Sequence, residues 1–256
     1  MTDIAGPSPK PNWFSRLAHP GAFMNWSKPT IIPLTVLVGL CFAVGLYLAF
    51  FVAPLETENV GTTLPILYIH VPNAWLSQFV YGVMVVASLG TLVWRHPLAD
   101  VAAKSAAPLG ATFTALALYT GSLWGRPTWG TFWEWDGRMT STLLLLLIYC
   151  GIIALWRAFD DQLRAARIVA VVTLVGALDI PVIKFSVDWW NTLHQPASIL
   201  TPAGPTMPAS ILTPLFIMML GFTLLFLLLH LISMRTEIKK RRALSLSRQA
   251  AQGAGA

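Results

Sequence analysis

Four tryptophans, Trp124, Trp129, Trp133 and Trp135, fall within twelve positions of one segment, Trp-Gly-Arg-Pro-Thr-Trp-Gly-Thr-Phe-Trp-Glu-Trp-Asp-Gly-Arg-Met over 124–139. An indole offers an apolar face for offset stacking and an N–H donor at its edge. Tryptophan at a membrane interface is ordinarily a belt residue, which accounts for Trp75, Trp94 and Trp156. A belt has no need of Gly and Pro spacing, whereas Gly125 and Gly130 permit tight turns or close approach of backbone to a ligand. The segment therefore reads as lining something flat and apolar. Two histidines flank it from elsewhere in the chain, His70 in Leu-Tyr-Ile-His-Val-Pro over 67–72 and His194 in Trp-Trp-Asn-Thr-Leu-His-Gln over 189–195. A lone interfacial histidine is usually only an amphipathic side chain. Two imidazoles converging beside an aromatic shelf are different: they can take the axial positions of a metalloporphyrin, whose anionic propionates call for arginine. Arg126 and Arg138 are at hand. Asp136 has three readings that the residues leave open: capping the next helix, pairing with Arg138, or touching the ligand.

What must position these residues follows from composition. Of the 256 residues, 55% are hydrophobic and 11% charged, against about 25% charged in soluble domains. Six apolar runs, near 31–53, 72–93, 106–124, 140–156, 168–185 and 211–233, approach the roughly 20 residues that cross the hydrocarbon core as a helix. They are continuous rather than alternating, and lipid leaves backbone polar groups unpaired outside helices and closed barrels. The expected fold is an all-α integral membrane protein with six transmembrane helices. It has an N-terminal interfacial segment over 1–30, a membrane unit over 31–233 and a basic tail over 234–256. Residues 12–26 read as a surface-lying lead-in helix or an anchored tail. Fourteen of the 17 Lys and Arg fall on one side of this arrangement, which the positive-inside rule places in the cytoplasm together with both termini. The net charge of +6 reports topology and anionic lipid headgroups, and no nucleic acid is expected. The segments near 54–71, 125–139 and 186–210 face out, with His70 just before the second helix and His194 just past the fifth.

Other features carry less. Cys41 and Cys150 lie in apolar runs, and no Cys-x-x-Cys-His offers thioether attachment of haem. Asp179 falls inside the fifth run with Pro181 after it. An intramembrane acid marks a function or a buried pair, with Lys184 as the candidate partner. Ala-Ser-Ile-Leu-Thr-Pro occurs at 197–202 and 209–214, in what reads as an irregular lid.

The pattern Trp124-Gly125-x-x-x-Trp129…Trp133-x-Trp135-Asp136 resembles the tryptophan-rich signature of haem-handling membrane proteins. With the segments around His70 and His194, the chain resembles the cytochrome c maturation protein C family (CcmC) over nearly its whole length. The resemblance implies a protein that holds haem b at the periplasmic face of the bacterial inner membrane. It implies delivery to the haem chaperone CcmE, beside CcmA, CcmB and CcmD of an ABC-type complex. It makes His70 and His194 axial ligands of the iron, Trp124, Gly125, Trp129, Trp133, Trp135 and Asp136 the haem platform, and Arg138 a propionate partner. Phe132 stands where some relatives carry a further tryptophan.

A transporter moving haem across the bilayer is the rival reading. It needs ionisable residues along several helices, and Asp179 alone offers itself. No nucleophile–base pair or nucleotide loop is visible, so the expectation is a binding and delivery protein, with a part in covalent haem attachment to its partner left open. Ligation needs neutral imidazole, so haem retention should weaken as pH falls through ~6.5 if the histidines are unperturbed.

Overall fold

The computed structural model describes residues 19–54, 64–190, 192–194, 199 and 204–253. They form seven helices: α1 (Pro20–Phe51), α2 (Leu64–Leu92), α3 (Ala99–Trp129), α4 (Gly137–Ala158), α5 (Gln162–Gly176), α6 (Asp179–Trp189) and α7 (Ala209–Gly253). With α5 and α6 taken as one interrupted span, six are long and apolar enough to cross a membrane. They alternate in direction, so one end of the bundle gathers the close of α1, α3 and α6 and the start of α2, α4 and α7. That end carries the tryptophan-rich segment.

The breaks follow local chemistry. Pro181 has no N–H for the carbonyl four residues back, and α5 gives way to α6 at Ala177–Leu178, where Leu178 N bonds Val175 O at 3.1 Å and Ile180 N bonds Ala177 O at 3.2 Å. Pro72 lies inside α2 rather than at its first turn, and beside it the Asn73 side-chain amide donates to Ile69 O at 2.7 Å, covering a carbonyl at a proline site where water is scarce.

The core joins α2 (Leu76, Val80, Tyr81, Met84), α4 (Leu145, Tyr149, Ile152, Trp156) and α5 (Ala165, Val169), with Phe113 of α3 and Phe226 of α7. Two buried phenols stitch it: Tyr81 donates to Thr173 O at 3.0 Å and Tyr149 to Ser77 O at 2.9 Å. Trp156 belongs to this core, buried beneath Lys104, not to an interfacial belt; Trp75 and Trp94 are exposed. At the basic end, Lys104 of α3 bonds Glu237 of α7 at 2.8 Å, and Arg241 spans Glu237 and Asp100.

Helix α1 begins at Pro20 and runs unbroken through residue 30, and α7 continues through 233 to Gly253. The lead-in over 12–18 lies outside the described residues. The second Ala-Ser-Ile-Leu-Thr-Pro opens α7, with Pro214 inside the helix; it is not an irregular lid. Of the first copy only Ile199 is described.

Candidate functional site

Helix α3 outruns its apolar stretch and ends at Trp129, so half of the tryptophan-rich segment is helical rather than loop. Pro127 is accommodated in the last turn, where Thr128 Oγ1 takes the Trp124 carbonyl at 2.7 Å. Gly130 closes the helix at φ 79°, a left-handed conformation that favours glycine. Arg126 is spent on this turn, donating to Gly130 O at 2.5 Å and covering Phe132. Residues 131–136 form the loop, in which Thr131 Oγ1 bonds Trp133 O at 2.9 Å. Trp133 packs edge-on against the exposed Trp135 at 5.4 Å between centroids.

Ala117, Thr120, Gly121 and Trp124 share one face of α3, at spacings of three and four residues. That face meets His70, which sits inside α2 and not before it. His70 Nδ1 lies 3.1 Å from both Ala117 O and Thr120 Oγ1. A carbonyl only accepts, so Nδ1 carries the proton and Nε2 keeps its lone pair. Trp124 packs edge-on to the ring at 5.8 Å. A Cβ on Gly121 would stand 2.9 Å from His70 Cε1, so the absence of a side chain there is what lets the imidazole lie against α3.

His194 follows α6 in an extended stretch and packs edge-on against Trp129 at 4.6 Å. Its Nδ1 lies 2.6 Å from Asp136 Oδ2, so here too Nδ1 is the protonated nitrogen and Nε2 is bare. Thr192 also donates to Asp136 Oδ2. The other oxygen, Oδ1, accepts from Met139 N at 2.7 Å and caps α4. Asp136 thus combines the capping role with a histidine partner, and Arg138 is not within ion-pair distance of it. Burial raises the Asp136 carboxyl, but bonds from Thr192, Met139 and His194 outweigh it and hold the pKa below the usual value of 3.8. Burial lowers His194 from 6.5 against the opposing pull of Asp136. The pair is a carboxylate and a neutral imidazole.

The pieces converge. The Arg138 guanidinium lies close enough to both histidines to bear on each. Among the described residues, three buried donors at this end, Trp124 Nε1, Trp133 Nε1 and Arg138 Nε, meet no acceptor. Among the described residues no group of three or more His, Cys, Asp or Glu gathers to hold a bare metal ion.

A family model described as "CcmC: Heme exporter protein C" matches residues 13–249. The chain belongs to the heme exporter protein C family. It is 59% identical over 230 residues to Heme exporter protein C of Bradyrhizobium diazoefficiens, covering 90% of this chain and 87% of that one. Against the Paracoccus denitrificans protein of the same name it is 42% identical over 231 residues, 90% and 95% of the two chains. Against that of Escherichia coli K12 it is 42% identical over 221 residues, 85% and 87%. The structure sets His70 against Trp124, and His194 against Trp129 and Asp136. Gly125 lies beneath the Trp129 ring. Trp135 stands apart at 74% exposure, touching Trp133 only among ring contacts of the described residues. Ala117, Thr120, Gly121 and Thr192 join the cluster without having been singled out from the sequence. The first three were legible as a stripe of small residues running up α3 to Trp124.

Proposed function

We propose that this chain binds haem b at its tryptophan-rich end, on the periplasmic side of the bacterial inner membrane. From there it delivers haem to the chaperone CcmE during c-type cytochrome maturation, beside CcmA, CcmB and CcmD. The observation that carries this reading is the matched state of the two histidines. Each has its Nδ1 proton engaged by the protein and its Nε2 lone pair free, and each stands against an indole. The names of the relatives supply the haem-export context, and the concentration of Lys and Arg at the opposite end supports the sidedness.

The unmet donors fit the group. A porphyrin carries two carboxylates, and Arg138 Nε with the Trp124 and Trp133 N–H groups are buried donors that meet no acceptor among the described residues. Haem, held by His70 and His194, would supply a redox-active iron and vinyl groups for covalent capture by the partner. The chain supplies the rest. His70 and His194 present Nε2; Trp124 and Trp129 wall the imidazoles and face the macrocycle; Trp133 and the exposed Trp135 offer apolar surface near the rim. Arg138 neutralises propionate charge. Asp136 acts through His194: a carboxylate on Nδ1 fixes the tautomer and raises the basicity of Nε2. Purification from haem-replete cells tests the reading. A low-spin, two-histidine absorption and resonance Raman signature is expected, and a colourless preparation defeats it.

Two further outcomes follow. Gly121→Val places carbon against His70 and should swing the ring off Ala117 O, converting the low-spin signature to a five-coordinate one while the protein still inserts. An unchanged spectrum would show that His70 does not bind iron from this position. For pH, the lowered His194 value means the neutral ligand form is present above 6.5, persists somewhat below it, and is lost as pH falls through the lowered value. Proton competition at His194 therefore begins lower than for a free imidazole at ~6.5. A spectral pH titration with a midpoint at or above that value would contradict this.

A further inference from the structure

Away from the haem-binding end, α4, α5 and α6 leave a groove of about 830 Å³ on the outer side of the bundle, lined among others by Leu144, Gly151, Ala154, Val171, Val175 and Asp179. Leu144, Val171 and Val175 are exposed there, so in a bilayer the groove opens to lipid. The stretch of α4 that lines it, Leu144 to Ala158, is about 21 Å long at 1.5 Å per residue, which is several turns of a helix laid alongside. Gly151, Ala154 and Ala158 follow one another at three and four residues along it, the small-residue spacing that lets a second helix backbone come close.

Asp179 makes this groove different from a greasy face. It begins α6 at the break in the span and is only 7% exposed. Its Oδ2 is buried without a hydrogen-bond partner, and among the described residues no cation pairs with it. Lys184, the partner expected from the sequence, is exposed and makes no ion pair with it. The neighbouring phenol of Tyr81 is committed to Thr173 O. A carboxyl group at this depth without a donor is costly, and acyl chains offer none. A second copy packed symmetrically about this groove would bring another Asp179 to the same place, carboxyl against carboxyl.

We propose that the groove is the seat of a membrane-spanning helix from a different protein, which packs its backbone on Gly151 and Ala154 and donates a hydrogen bond to Asp179 from a side chain at mid-membrane depth. The inference does not depend on how haem is bound. Both sites can be scored separately in one preparation, because the groove variants leave the haem spectrum as an independent readout.

The test is photo-cross-linking in native membranes, with benzoyl-phenylalanine replacing Val175 in the full chain expressed alongside its natural neighbours, and the cross-linked peptide sequenced. The expected adduct is a spanning segment of another chain with Ser, Thr, Asn, Gln, His, Lys or Arg at the cross-linked depth. Its yield should fall about tenfold in Asp179→Leu and survive in Asp179→Asn, as expected for the loss of one interhelical hydrogen bond in lipid. Ala154→Trp fills the groove from its exposed side while retaining the Asp179 carboxyl and should remove the adduct as well, which covers the case in which Asp179→Leu fails to insert. Adducts to phospholipid alone, adducts to a second copy of this chain, or a yield indifferent to both variants would each overturn the proposal.

Discussion

Alanine in place of either His70 or His194 is expected to abolish the low-spin, two-histidine spectrum and to cut haem retention through purification by more than about 100-fold, since changes in groups that merely support a ligand already cost 10–100-fold. The fold should survive both changes. The partners of His70 are otherwise satisfied, because Thr120 Oγ1 already donates to Leu116 O at 2.7 Å and Ala117 O lies within a helix. Without His194, Asp136 retains its bonds from Met139 and Thr192. Membrane insertion and yield should therefore match the unaltered protein while colour is lost. A variant that keeps the two-histidine spectrum would remove that residue from the iron, and retention of the spectrum in both would leave the proposed site without its ligands.

Asp136 should produce the second-largest effect, and its two substitutions should differ in kind. Asparagine can still cap α4 through its carbonyl oxygen, since Asn and Asp are comparable at the N-cap, but the oxygen that His194 Nδ1 and Thr192 bond is then replaced by an amide NH2, which cannot accept. It lacks the negative charge as well. Asp136→Asn is thus expected to lower haem retention about tenfold and to raise the iron reduction potential, with thermal stability close to that of the parent. Asp136→Ala removes cap and orienting group together, so retention should approach a 100-fold loss and the helix start should lose about 1 kcal/mol. Unchanged haem retention and potential in Asp136→Asn, with a stability loss confined to Asp136→Ala, would reduce Asp136 to a helix cap.

The two ends of α3 show where physical reasoning from sequence stops. Hydropathy located the helix, because a backbone in lipid must satisfy itself within the segment and needs some 20 apolar residues to cross. Its outer limit was not legible. Residues 125–129 contain Gly, Pro and Thr, each of which weakens a helix, and the extra turn exists because Thr128 and Arg126 hydrogen-bond the backbone there. His70 was displaced in the same way. Pro72 reads as a helix start, yet the Asn73 side chain covers a carbonyl beside it and the helix begins at Leu64.

Asp136 had three readings that no local pattern could rank. The choice between pairing with Arg138 and bonding His194 depends on how the end of α6 lies against the start of α4, and that is a contact between residues 58 positions apart. Gly121 went unnoticed for the same reason, since its role is to be absent where another helix brings an imidazole.

Composition, hydropathy and charge alone determined that this chain is a bundle of spanning helices with an aromatic, histidine-flanked end, because the cost of an unpaired amide in lipid is set residue by residue along the chain. Which nitrogen each histidine keeps free, what Asp136 holds and which carboxyl is left without a donor were decided only by tertiary packing. Hydrogen bonds have directions and short reach, and their partners come from helices far apart in the sequence.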